Sequence, residues 1–437
     1  MRAHVPAVGR AQALVALACV VLFGVSLMRY WVSYDPTDTV PLGQESFRLA
    51  RNLAGKGQFA NPFGALETGP SAHLAPGYPA FLALLIRLFG YQSGGIYAIK
   101  LSAAVLVSLQ IALFPVFSRA LGMGALNGAI AAFLWIIAKV GLVFPFGRQA
   151  VPLFAWENLS LAILVGVAVC SFRRCLDVPL YESGGLSWVL GGSLGILALT
   201  SPAVGILFIG LLGWMTWKDR RNISARPYPY LVVVLLPALI VAPWMLRNYF
   251  VFHRVVFVRD SLGLELSVSN NDCATFIAEF GCFKKVHPNA NIDEARKVLA
   301  YGEPKYNDFK LREVRDWIKT HPARFFGLSA RRVAAFWFPT SERPGRWKER
   351  IAVYGLTVLS IAGLWILYQS DCRSAVVCML CLGLFPLAYY VTLHVLRHRY
   401  PILWLTFLLG TFPITTCLRR AYKSLSTKAH LEELRCH

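Results

Sequence analysis

The sequence predicts an all-α, polytopic membrane protein of about ten transmembrane helices, with interfacial helices in a long first extracytoplasmic loop and a second large extracytoplasmic segment. Three observations carry this expectation. Of 437 residues, 56% are hydrophobic and the mean hydropathy is +0.51, above ordinary soluble domains. Apolar runs of about 20 residues recur, the length that crosses a bilayer hydrocarbon core. The formal net charge of +21 falls mostly between those runs and near their ends. There the bilayer's anionic headgroups and phosphate-bearing lipids are nearer partners than nucleic acid.

The first apolar run, Ala11 to Met28, follows Arg2 and Arg10 and ends at Arg29-Tyr30-Trp31, an interfacial anchor. With no small-residue cleavage site after it, the run reads as a retained first span, about 11 to 31. The stretch 34 to 91 comes next, and the rest of the chain is organised around it. It carries Asp35, Asp38 and Glu45, an amphipathic piece from Glu45 to Leu53, and a passage from Gly69 to Pro79 with His73 and three prolines. Its last part, Tyr78 to Phe89, is apolar but contains Arg87 and is only about a dozen residues long, short of a span. The whole stretch is therefore expected to stay on the extracytoplasmic side, with membrane-hugging helices at about 45 to 55 and 78 to 89.

The remaining spans are expected at about 96 to 118, 124 to 145, 152 to 171, 186 to 200, 201 to 217, 228 to 246, 351 to 369, 374 to 395 and 401 to 417. With the N-terminus in the cytoplasm, Arg119, Arg173-Arg174, Lys218 with Arg220-Arg221, Arg373 and Arg419-Arg420 all fall inside, as the positive-inside rule requires. The chain then divides into a membrane catalytic module, 1–246, an extracytoplasmic segment with an interfacial helix, 247–350, and C-terminal membrane helices with a cytoplasmic tail, 351–437. Within the middle segment two helical pieces, Ile292 to Ala300 and Asn307 to Lys319, are parted by Gly302 and Pro304. A basic amphipathic piece from Pro322 to Trp337 suits the membrane interface. Cys273 and Cys282 enclose a short Gly-containing loop on an oxidising face, where such a pair more often bridges than stays as two unrelated thiols.

No zinc-spacing cluster, P-loop, dinucleotide fingerprint or HExxH occurs. ATP-driven chemistry has no sequence support, no cofactor is certain, and a divalent metal is possible but unsupported by the sequence. The chemistry-bearing candidates are membrane-adjacent. Glu45, beside His73, could serve as general base for an acceptor hydroxyl or amine; Asp38 is the other candidate, with helix capping its competing role. Glu157, at the outer end of the fourth span, is either a functional intramembrane acid or the ion-pair partner of Arg148. Arg247 and the cluster Arg397-His398-Arg399 sit at outer helix ends, where guanidinium groups suit a phosphate and snorkelling to headgroups is the alternative.

These residues lie in an ordered pattern. It runs from Glu45 through Leu49-Ala50-Arg51-Asn52-Leu53, Gly55-Lys56-Gly57, Asn61-Pro62-Phe63, Gly69-Pro70 and Ala75-Pro76-Gly77-Tyr78-Pro79. It continues through Trp156-Glu157, Leu199-Thr200-Ser201-Pro202 and Pro243-Trp244-Met245-Leu246-Arg247-Asn248-Tyr249. Gly263-Leu264-Glu265-Leu266, Asn270-Asn271, Gly302-Glu303, His321-Pro322 and Arg397-His398-Arg399-Tyr400-Pro401 complete it. In this the chain resembles the bacterial protein O-mannosyltransferase-like membrane glycosyltransferases of the C-type superfold, which include the aminoarabinose transferases of lipid A. The resemblance implies transfer of a sugar from a polyprenyl-phosphate carrier to a lipid, glycan or protein acceptor in the cell envelope, usually with inversion. It further implies a multi-pass protein of the bacterial inner membrane with its active site on the extracytoplasmic face. The chain departs from the family where a common acidic pair would stand, having Leu42 and Gly43 there, so Glu45 and Asp38 both remain candidates for the base. A transporter would need an internal repeat with paired broken helices, and neither is seen. An O-antigen ligase or polymerase type would not need the acidic first loop.

Overall fold

The structure, a computed structural model, describes residues 7–32, 44–137, 156–183, 185–277, 280–338, 347–393 and 395–435. Among them the regular elements are all helices, and Ala60 and Pro70 form an isolated bridge. The helices that build the membrane part are α1 (Ala7–Val32), α4 (Ser93–Ala112), α5 (Phe114–Ala120), α6 (Ala125–Ile137), α7 (Trp156–Cys175), α8 (Leu186–Thr200), α9 (Gly205–Ala225), α10 (Tyr228–Phe252), α16 (Trp347–Ser370), α17 (Cys372–Leu384), α18 (Leu387–Val391) and α19 (Tyr400–Arg435). Among the described residues seven stretches are long and apolar enough to cross a membrane: Gln12–Arg29, Gly94–Ala120, Asn158–Cys175, Tyr228–Phe252, Ile351–Ser370, Cys372–Val391 and Arg397–Tyr422. Of the other expected spans, 186 to 200 is a shorter apolar helix. That at 124 to 145 is described only as far as Ile137, and 201 to 217 becomes a 3-10 turn, Pro202–Val204, leading into α9, whose end is charged.

The bundle interior is aromatic: Trp135 packs against Phe114, Tyr400 and Phe407, and Phe117 against Trp404. Side-chain hydrogen bonds join helices where water is absent. Asn127 of α6 donates to Ser118 Oγ and Leu408 O and accepts from the hydroxyls of Thr411 and Thr415.

The second layer comes from α2 (Glu45–Lys56), α3 (Gly77–Phe89), α11 (Leu262–Ser269), α12 (Phe280–Val286), α13 (Ile292–Tyr301), α14 (Glu303–Thr320) and α15 (Pro322–Trp337). Apolar side chains recur at helical spacing on the short pair α2 and α3, so Phe47 and Ala50 meet Tyr78, Leu82, Ala83 and Ile86. Helix α2 ends at Gly57, whose φ of 67° is the left-handed conformation that glycine adopts without strain. Asn291 caps α13 by accepting from the backbone N–H groups of Asp293 and Glu294. Helix α14 begins at Glu303 rather than Asn307, because Pro304 sits in its first turn, where a missing N–H costs nothing. Gly263 of α11 lies so close to α14 that a Cβ there would stand 2.0 Å from Asn307 O. Cys273 and Cys282 are joined by a disulfide.

Two buried arginines sew the layers together. Arg332 of α15 donates to Ser269 O, Asn270 Oδ1 and Val391 O, and Arg399 donates to Trp337 O and the Thr357 hydroxyl. Ser269, Val391 and Trp337 are the last residues of α11, α18 and α15. The guanidiniums thus satisfy C-terminal carbonyls that no helix hydrogen bond reaches, at the negative ends of helix dipoles.

Candidate functional site

The site forms where α2, the 59–73 loop and the end of α12 meet. Glu45 opens α2, with its side chain 21% exposed. Its Oε2 lies 3.4 Å from His73 Nε2 and its Oε1 3.7 Å from His287 Nε2. Both imidazoles are buried. Phe63 packs at 4.9 Å from the His73 ring, while Phe283 stacks on His287 at 4.3 Å. Burial pushes Glu45 upward, but the charge and hydrogen bond of His73, with His287 and Arg259, outweigh it and hold the carboxyl at about 2. For His73, burial is outweighed by Glu45 and the net shift is upward; burial dominates at His287 and lowers it.

His73 is held by its own backbone. Residues 59–61 and 69–71 run side by side, with Asn61 N donating to Gly69 O and Ser71 N to Phe59 O. Arg247 crosses both runs, donating to Phe59 O and Ser71 O, and Trp244 lies under its guanidinium. The carbonyl of Ala72 accepts from Asp260 N and that of His73 from Arg259 Nε. Behind this segment Glu303 accepts from the Ser71 hydroxyl at 2.7 Å and from Ala72 N at 2.6 Å. Burial lifts Glu303 to about 7, against the pull of His73 and these two donors. Asp260 is lifted to about 6 by burial, opposed by Arg254.

By residue type, Glu45, His73 and His287 could hold a metal ion, since one ligand atom of each lies within 4.8 Å of the others. The hydrogen bonding of His287 runs against a resident ion at its Nε2. An imidazole that ligates through Nε2 carries its proton on Nδ1 and donates it to a neighbouring acceptor. In His287, Nδ1 instead accepts from Asn289 N at 3.1 Å, which puts the proton on Nε2, the atom facing Glu45. His73 Nδ1 is buried without a hydrogen-bond partner. Glu45 thus faces the Nε2 atoms of two imidazoles, hydrogen-bonded to His73 and 3.7 Å from His287.

The structure thus brings Glu45 and His73 together and gives Arg247 and Arg399 backbone partners. His398 stacks on Tyr389 at 4.3 Å, and Arg397 is half-buried with no hydrogen bond or ion pair among the described residues. Asp38 and Arg148 lie outside the described residues, as does the side chain of Glu157. Sequence reasoning missed His287, Arg259 and Asp260. Glu303 stood in the quoted pattern without a role; an acid directly after a turn glycine, at the first position of a helix, was its available signal.

A two-layer helical membrane protein with a buried acid–histidine centre in its loop layer is the class these observations define. No protein-family model and no curated sequence matches the chain. Among solved structures it is similar to the crystal structure of the Archaeoglobus fulgidus oligosaccharyltransferase in the apo form, with a TM-score of 0.54 and 13% identity over 94% of this chain. The match covers 52% of that protein, so this chain spans about half its length. At that identity the likeness shows the fold alone.

Proposed function

We propose that the protein is a membrane glycosyltransferase that moves a sugar from a polyprenyl-phosphate carrier to a lipid, glycan or protein acceptor, with inversion, on the extracytoplasmic face of a bacterial inner membrane. The observation that carries this reading is the carboxylate of Glu45, 21% exposed and flanked by two imidazoles, in the loop layer of an oligosaccharyltransferase-like fold. In the reaction an acceptor oxygen or nitrogen attacks the anomeric carbon, forming one bond as the bond from that carbon to the carrier phosphate oxygen breaks. Glu45 accepts the acceptor's proton as the new bond forms, and His73 and His287 hold its carboxylate in place. Asp38 is the competing candidate for that proton.

The departing phosphate gains negative charge, and a preset cation stabilises it more in the transition state than in the ground state. Arg397 and His398 are proposed for that task; Arg247 and Arg399 support them by holding the loop layer and its seam. A strain lacking the protein should lose one sugar decoration and accumulate the charged carrier, as read by comparative mass spectrometry of lipids and surface glycans. Identical profiles in the two strains would refute the reading.

A further inference from the structure

We propose that Glu303 is a positioning residue for this centre: by gripping the Ser71–Ala72 segment from behind, it presents the His73 imidazole to Glu45. The inference rests on the reading of Glu45 as the base and His73 as the imidazole that holds it. Both carboxylate oxygens of Glu303 are occupied by donors from that segment, one by the Ser71 hydroxyl and the other by Ala72 N. The Ser71 oxygen accepts in turn from His73 N at 3.0 Å, which completes a chain from Glu303 to the backbone of the catalytic histidine. Glu303 is 3% exposed and has no ion pair among the described residues. Its carboxylate caps nothing in its own helix.

A buried carboxylate is costly to keep without a cation, so its retention at this place needs a return. Two local factors lower the cost: the N-terminus of α14, where the helix dipole favours negative charge, and the two short hydrogen bonds. The groups that face the pair from each neighbouring element are Glu45 from α2, Arg247 from α10, Arg259 and Asp260 from the segment before α11, and His287 after α12. Of these, Arg247, Asp260 and Arg259 hold the carbonyls of Ser71, Ala72 and His73 respectively. Glu303 holds the Ser71 hydroxyl and the Ala72 amide, while Ser71 N donates to Phe59 O. Removing Glu303 leaves the Ala72 amide, next to His73, without its acceptor.

The test uses full-length protein in proteoliposomes with a polyprenyl-phosphate sugar donor. Glu303→Ala removes the grip, Ser71→Ala removes both the hydroxyl that donates to Glu303 and the acceptor for His73 N while leaving Ala72 N on Glu303, and Glu303→Gln keeps one acceptor for Ala72 N. Two quantities are read: kcat against donor KM, and the rate at which diethylpyrocarbonate modifies His73, followed by peptide mass spectrometry. Misplacement of a reacting group by about 1 Å costs up to about a hundredfold in rate. The expected result is therefore a kcat lowered roughly 10- to 100-fold in Glu303→Ala, an unchanged donor KM, faster labelling of His73, and Glu303→Gln intermediate in both readouts. Ser71→Ala should fall in the same direction with its thermal stability retained. Folded Ser71→Ala and Glu303→Gln proteins with wild-type kcat and wild-type His73 labelling would overturn the proposal. A wild type that transfers no sugar would refute the functional reading instead, and the labelling rates alone would then judge the grip.

Discussion

At Glu45 two opposing effects meet, and their balance makes a prediction. Burial disfavours its charge, yet the imidazoles win and the carboxyl titrates at about 2, below its ordinary 4.5. Its share of stability is present above 4.5 and lost as pH falls toward 2. His73 is displaced above its ordinary 6.5, so its share is present below 6.5 and lost as pH rises through the raised value. The two windows overlap between about pH 4.5 and 6.5. Glu45→Gln should therefore lower Tm most within that overlap, with the gap to wild type narrowing on both sides; a gap independent of pH would show that the pair is not ionic. A second residue-scale prediction concerns Arg397. Arg397→Ala should weaken donor-lipid binding and transfer together, and Arg397→Lys should restore them only in part, since an ammonium lacks the bidentate fork. Full rescue by Lys, measured as donor affinity in nanodiscs, would assign Arg397 to headgroup anchoring. Glu45 and His73 were legible because ionisable residues held against a membrane stand out from an apolar chain. His287 was not, because it sits in a polar loop segment and reaches the site only through the fold.

The helices of the loop layer show what a local pattern can and cannot disclose. Length alone places α2 and α3 outside the spanning set, and both occur where expected, at Glu45–Lys56 and Gly77–Phe89. The amphipathic Pro322–Trp337 helix is likewise present with those ends. Helices α11 and α12 carry too few residues for periodicity to reveal them, and they are fixed instead by the disulfide and by packing on α14. The role of Arg332 was equally hidden. Nothing in a basic amphipathic pattern tells that one arginine turns inward to the ends of two other helices. Arg332→Met should leave buried carbonyls without donors, at about 1–3 kcal/mol for each unsatisfied group. Arg332→Lys should recover little, because one ammonium cannot span acceptors on separate helices. Thermal unfolding in detergent checks this, and a methionine variant as stable as wild type would remove Arg332 from the seam.

For the whole molecule, the apolar runs predict a polytopic bundle and the fold agrees, while the count of crossings depends on helices that length and charge leave ambiguous, such as α6, α8 and α9. The distribution of arginine and lysine leads us to propose that the loop layer lies on the extracytoplasmic side, and the side can be read directly. Lys285, exposed on α12, is a suitable probe. In a variant with its free cysteines replaced, Lys285→Cys should react with a membrane-impermeant maleimide in intact cells once the outer membrane is opened; labelling only after lysis would invert the topology. Glu45, as proposed, activates an acceptor for attack on a lipid-carried sugar. The most direct measurement is the turnover of purified wild-type and Glu45→Gln protein in proteoliposomes with a polyprenyl-phosphate sugar, alongside Asp38→Asn. The expected result is a loss of at least about a hundredfold in Glu45→Gln, the scale of a general base, with normal expression and insertion. Undiminished transfer by Glu45→Gln, with transfer abolished in Asp38→Asn, would contradict it.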